Sequence, residues 1–91
     1  MFILSKDGKN FVNCNNVASI YIQEVHRQYT QPDRWWEIRA MYPAVSEDVV
    51  YDTLDKHYDE KECQNAFDKL CSQITESREH ETIDMRYLWD Y

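Results

Sequence analysis

Hydrophobic and polar positions follow two different periods along this chain, and the changeover falls near residue 59. Before it the period is two. Residues 2–5 form a short strand, ended by Lys6-Asp7-Gly8-Lys9, where Asp-Gly signals a tight hairpin turn. Phe11 and Val12 follow, then polar residues 13–16, then a β-rich run at 17–23. In that run Ala18, Ile20 and Ile22 share one face, and Val17, Ser19 and Tyr21 the other. Residues 25–34 are polar, contain one proline and read as a long hairpin loop. Residues 35–42 alternate again, with Trp36, Ile38, Ala40 and Tyr42 as the core set and Trp35, Glu37, Arg39 and Met41 facing away. Pro43 ends this strand, 44–47 turn the chain, and 48–54 form a fourth strand rich in Val and Tyr.

From residue 59 the period becomes helical. Cys63, Ala66, Phe67, Leu70, Cys71 and Ile74 recur on one side of a helix spanning 60–77. Asp59 is its N-cap, and Glu62 three residues on is a capping-box partner. A charged connector at 77–81 leads to a last alternating run, 82–89, that sets Ile83, Met85, Tyr87 and Trp89 on one face. The order β-β-β-β-α-β predicts a single α+β domain over 1–91. Its expected form is a two-layer sandwich, an antiparallel sheet of about five strands with one helix on one face.

Size and composition narrow this picture. Ninety-one residues make one modest core, with no room for a deep multi-residue pocket as well. Seven Tyr, three Trp and three Phe supply large apolar areas to it. The three cysteines, Cys14, Cys63 and Cys71, form no CxxC and do not suggest a disulfide framework, so they read as core thiols. The apolar start MFILSKDGK has neither the basic region nor the cleavage site of a signal peptide, and no stretch reaches the ~20 apolar residues of a membrane span. A cytoplasmic protein is expected, without a membrane partner.

Candidate chemistry is thin. His57 lies among carboxylates with Cys63 close behind, yet the spacing fits no zinc pattern and HxxxH is absent, so no metal is expected. Cys63 and His57 are the one local nucleophile–base pair, and a helix N-terminus lowers thiol pKa values; a buried thiol is the plainer reading. The single glycine, Gly8, excludes glycine-rich phosphate loops. Asp52, Asp55, Glu47 and Asp48 include glycosidase-like carboxylates, but a two-layer sheet of this size offers no cleft for a sugar chain. No enzyme and no cofactor are expected.

Charge and aromatics say more. The net charge of −7 repels nucleic acid and suits a basic protein partner. Glu47, Asp48, Asp52, Asp55, Asp59, Glu60 and Glu62 crowd one stretch against Lys56 and Lys61, and on one rim they would imitate a phosphate backbone. Asp59, Glu60 and Glu62 also suit the positive end of a helix dipole. Trp35 and Trp36 must point to opposite faces, so Trp35 and Tyr21, with Met41, Glu37 and Arg39, are expected on the open face as interface residues.

The opening MFILSKDGKNFVNCNNVASIYI resembles a loose group of short proteins from Firmicutes and their mobile elements. The shared positions are Ile3, Ser5, Asp7, Gly8, Asn16, Val17, Ile20 and Ile22; residues 57–74 resemble the group's helix segment, with Tyr58, Ala66 and Phe67 at its usual places. The resemblance carries structural motifs and no catalytic residue. It implies a small bacterial, often phage-associated protein. Together these readings predict a non-enzymatic anti-defence inhibitor of the anti-CRISPR type, docking on a protein with a basic nucleic-acid groove and with a homodimer open. The alternatives are an oligomeric sponge for a signalling nucleotide, using Tyr and Trp stacking with Arg34, Arg39 or Arg86, and an uncharacterised housekeeping interaction domain.

Overall fold

Alternating side chains make strands only where successive rows find a neighbour to pair with, and here they find two separate sets. The structure, a computed structural model, describes residues 1–44, 48–78 and 81–90. In chain order it comprises β1 (Phe2–Leu4), β2 (Phe11–Asn13), β3 (Ser19–His26), β4 (Arg34–Met41), β5 (Tyr51–His57), α1 (Glu60–Glu76) and β6 (Thr82–Asp84). Short 3-10 turns occupy Cys14–Asn16 and Met85–Asp90. The class is α+β, but the single antiparallel sheet expected from the pattern is replaced by two three-stranded sheets. One is mixed, in the order β2-β1-β6, with β1 antiparallel to β2 and parallel to β6. The other is antiparallel, in the order β3-β4-β5.

The split has a local cause in the polar run after β2. The Asn13 side chain accepts the Asn15 N–H at 3.0 Å, an Asx cap that winds Cys14–Asn16 into a 3-10 turn. The chain leaves β2 in a new direction, and β3 pairs with β4 instead of extending the first hairpin. In the first hairpin, Gly8 takes φ 75°, the left-handed conformation its turn requires.

The last run also departs from expectation. Pairing beside β1 stops at Asp84, whose carboxylate accepts the Arg86 N–H at 3.0 Å, and the chain coils into 3-10 turns. Residues three apart then share a face. Met85 and Leu88 are buried, whereas Tyr87 and Trp89, expected inside, are exposed.

The fourth strand starts later and ends later than its pattern indicated, at Tyr51–His57. It is interrupted by a bulge: Ile38 faces Asp55 and Arg39 faces Thr53, so Leu54 is the extra residue. The bulge turns Leu54 into the core, 1% exposed, and offers its carbonyl sideways. The Lys6 N–H donates to that carbonyl at 2.7 Å, and Asn10 Nδ2 donates to the Thr53 carbonyl at 3.4 Å, so the first hairpin is docked on β5.

Helix α1 lies close to the expected bounds. The Asp59 carboxylate accepts the Glu62 N–H at 3.0 Å, as an N-cap does. Cys63, Ala66 and Leu70 are buried, and Phe67 and Ile74 pack at the margin. Cys71, expected as a core thiol, is exposed, because eight residues advance about 80° past two full turns. One core joins the helix to both sheets through Ile3, Val12, Ile38, Leu54, Leu70 and Ile83, among others. Among the described residues no helix is long and apolar enough to cross a membrane.

Candidate functional site

Strand registers set out the antiparallel sheet as a grid with two unlike faces. Toward the helix the rows read Ile20–Ala40–Asp52, Ile22–Ile38–Asp55 and Glu24–Trp36–His57. On the other face they read Ser19–Met41–Tyr51, Tyr21–Arg39–Thr53 and Gln23–Glu37–Lys56, with Val25 beside Trp35. The second face contributes no side chain to the hydrophobic core. It is the uncovered face.

Glu37 organises it. Its carboxylate accepts Trp35 Nε1 at 2.8 Å, Arg39 Nε at 2.9 Å and Thr53 Oγ1 at 3.2 Å. Burial alone would raise the Glu37 carboxyl, but the donors from Trp35, Arg39 and Thr53 outweigh it and hold it below its ordinary value. Burial likewise works against the Arg39 charge, and Glu37, Tyr51 and Tyr21 more than restore it, so its pKa is raised. The Arg39 guanidinium lies 4.0 Å from the centre of the Tyr51 ring. Lys56 Nζ sits 4.4 Å from the Trp35 ring centre and 5.1 Å from that of Tyr58, and Arg27 lies 5.7 Å from Trp35. Cations thus cap aromatic rings across the face, contacts that stabilise by roughly 0.5–1 kcal/mol each where exposed.

This changes the standing of the residues singled out for partner binding. Tyr21 is half-buried beside Arg39. Trp35 does belong to the open face, but it is only 8% exposed, sealed by Lys56 and Arg27, so it underlies the surface instead of projecting from it. Tyr51 and Tyr58, which the pattern did not single out, are the exposed rings. Tyr58 owes its face to the register after the Leu54 bulge, and residue alternation alone does not reveal a bulge.

The acidic stretch is not one rim. Asp52, on the helix face, accepts the Tyr42 hydroxyl at 2.6 Å. Asp55 is buried, its oxygens taken by the Lys56 N–H at 2.8 Å and His57 Nε2 at 2.7 Å. Asp48 is exposed ahead of β5, while Asp59, Glu60 and Glu62 are exposed just beyond its other end. A seven-residue strand separates those ends by roughly 20 Å. Glu47 lies outside the described residues. The expectation of seven carboxylates on one edge therefore reduces to a cluster at the helix start, one residue past Tyr58.

Cys63 is not an activated thiol. It is fully buried, and that burial together with the Asp55 charge pushes its pKa up to about 11. His57 is paired with Asp55. Among the described residues, no group of three or more His, Cys, Asp or Glu side chains is placed to hold a metal ion.

Comparison of the chain with known protein families, with curated proteins and with solved structures finds no match.

Proposed function

We propose that the protein is a non-enzymatic binding protein that docks on a partner protein through the uncovered face of the β3-β4-β5 sheet. The observation that carries this reading is the face itself. Its Glu37, Arg39 and Trp35 side chains are already fixed by one another, and its exposed rings, Tyr51 and Tyr58, meet Arg39 and Lys56. Prearranged Tyr, Trp and Arg groups lose little freedom on contact, which is why such residues carry binding energy at interfaces.

The sharper form is a phage or mobile-element anti-defence inhibitor of the anti-CRISPR type. In it, Asp59, Glu60 and Glu62 beside Tyr58 meet the rim of a basic nucleic-acid groove on the effector, and the aromatic face anchors the contact. The net charge of −7 and the exposed acids at the helix start favour that partner over nucleic acid itself.

The test is affinity capture from a Gram-positive lysate containing defence systems, with three immobilised proteins: the natural chain, Tyr51→Ala/Tyr58→Ala, and Asp59→Lys/Glu60→Lys/Glu62→Lys. One nucleic-acid-binding protein retained by the natural chain and lost by both variants is the expected result. Equal retention by the aromatic variant overturns the docking face. Retention that survives both the charge reversal and high salt overturns the groove partner.

A further inference from the structure

Four strands lie at sheet edges, β2 and β6 in the mixed sheet and β3 and β5 in the antiparallel one. A sheet edge presents a row of unpaired N–H and C=O groups, and folds usually protect it. β2 and β6 are three residues long, too short to template another strand. β5 is bulged at Leu54, and the first hairpin closes on it through the Lys6 N–H and the Leu54 carbonyl. β3 has none of these protections. It runs for eight residues without proline, lysine or a break in register, and no strand among the described residues pairs with its outer side.

Alternation fixes which backbone groups face outward. The Arg27 N–H donates to the Asp33 carbonyl at 2.8 Å, and the ladder alternates from there, so Val25, Gln23 and Tyr21 direct their backbone groups to β4. Those of Ile20, Ile22, Glu24 and His26 point the other way. Gln23 Nε2 donates to the Glu24 carbonyl at 2.9 Å, so a side-chain amide fills the place of a neighbouring strand's N–H.

Charge and pairing select the occupant. The chain carries −7, yet residues 17–34 hold two acids, Glu24 and Asp33, against two bases, Arg27 and Arg34. The exposed acids Asp48, Asp59, Glu60 and Glu62 flank β5, at the sheet's other edge. A neutral edge gives a strongly charged partner no attraction and a copy of itself no repulsion. An antiparallel copy about a two-fold axis at Gln23 sets all four outward residues in hydrogen-bonded pairs, Ile22 with Glu24 and Ile20 with His26, for about eight bonds. On the uncovered face it sets Tyr21 against Val25, an aromatic and β-branched pair, on both sides of the axis. No like charges stand directly opposite.

We propose that β3 pairs antiparallel with β3 of a second copy, joining the two antiparallel sheets into one of six strands. This pairing is independent of the docking reading, because it uses the sheet edge and leaves Tyr51 and Tyr58 outside it.

Sedimentation equilibrium of the full chain tests this, at concentrations up to about 1 mM, the weak end of specific association. A dimer is expected. The outward amides of Ile20, Ile22, Glu24 and His26 should gain protection from hydrogen exchange as concentration rises, while that of Gln23, already bonded to β4, stays protected throughout. Glu24→Pro removes an outward N–H from an exposed position and leaves the ladder to β4 intact, so it keeps its fold, which circular dichroism verifies. Its dimer should dissociate at least about ten-fold more readily, since each copy loses a bond. Gln23→Cys, in a Cys71→Ser background that removes the exposed thiol, should form a disulfide across the axis, because opposed residues of a non-hydrogen-bonded pair lie within disulfide reach. The Tyr51→Ala/Tyr58→Ala variant should dimerise undiminished, which separates failure of this edge from failure of the docking face. A chain that is monomeric at every concentration overturns the proposal. So does a dimer whose outward β3 amides gain no protection, one that Glu24→Pro leaves unchanged, or one that the tyrosine variant abolishes. Absence of the Gln23→Cys crosslink overturns the two-fold register.

Discussion

Glu37 and Ile38 are neighbours in β4, and both are largely hidden from water, yet different forces hide them. Ile38 is covered by the helix and belongs to the core. Glu37 is covered by its own sheet, through Trp35, Arg39 and Thr53. One face is shielded by another layer of the fold, and the other only by side chains that meet over a carboxylate. A face of the second kind is not covered by the helix, while its side chains hold one another in place. The first kind carries most of the stability.

The largest expected effect separates them at once. Ile38→Ala opens a cavity between sheet and helix and should cost about 2–5 kcal/mol in urea unfolding. That is a large share of the roughly 5–15 kcal/mol of a domain. A loss below about 1 kcal/mol would mean the helix does not seal this face.

Next comes the carboxylate on the open face. Glu37→Ala strands three donors and leaves Arg39, 14% exposed, without its partner, at a cost of about 1–3 kcal/mol. The double variant Glu37→Ala/Arg39→Ala should lose less than the two single losses added together, since neither group then lacks a partner. Strict additivity would show that the network carries no coupling.

The two faces should also fail at opposite ends of the pH scale. Glu37 titrates below its ordinary 4.5 in the folded protein. Its contribution is present above that value and fades as pH falls through the lower folded one. On the core side, the Tyr42 hydroxyl is pushed from 10.0 up to about 12 by its hydrogen bond to Asp52 and by burial. Burial and Asp55 raise Cys63 from 9.0 to about 11. Groups held protonated by the fold contribute fully below their unfolded values. Their contribution is lost as pH climbs from about 9 toward 12. Tyr42→Phe should cost about 1 kcal/mol near neutral pH and should flatten the alkaline decline; Glu37→Gln should flatten the acid one. Urea midpoints measured across pH would show both, and identical profiles for the two variants would erase the distinction between faces.

How much of this was legible beforehand follows from which residues signal locally. Helix α1 announces itself through Asp59, Cys63, Ala66 and Leu70, because cap and period lie within one segment. The two faces of β4 were equally readable, since Trp35 and Trp36 must diverge. The division into two sheets was not, because it turns on Asn13 capping a three-residue turn. Nor was the end of the chain, where Ile83, Met85, Tyr87 and Trp89 fit a strand while Met85 and Leu88 fit a 3-10 turn equally well. At the candidate site the acids misled most. Asp52 and Asp55 look like surface charge, but a tyrosine hydroxyl and an imidazole reach them from residues ten and two positions away. The Leu54 bulge, after which Lys56 lies over Trp35, leaves no mark in the residue pattern.

The smallest expected effect on stability carries the most information on function. Tyr51 stacks on Arg39 from an exposed position, 41% accessible, and fills no cavity. Tyr51→Ala should therefore cost no more than about 0.5–1 kcal/mol, the size of one exposed cation–ring contact. Arg39 stays fixed by Glu37 when the ring is gone, so the face keeps its shape. Partner binding, in contrast, loses an exposed aromatic anchor from a prearranged surface, and truncations of that kind weaken complexes by about 2 kcal/mol or more, roughly thirty-fold. Stability near that of the natural chain together with such a loss of capture would locate binding on the open face. A variant that unfolds easily would place Tyr51 in the architecture instead, and one that binds undiminished would shift the contact to the helix start.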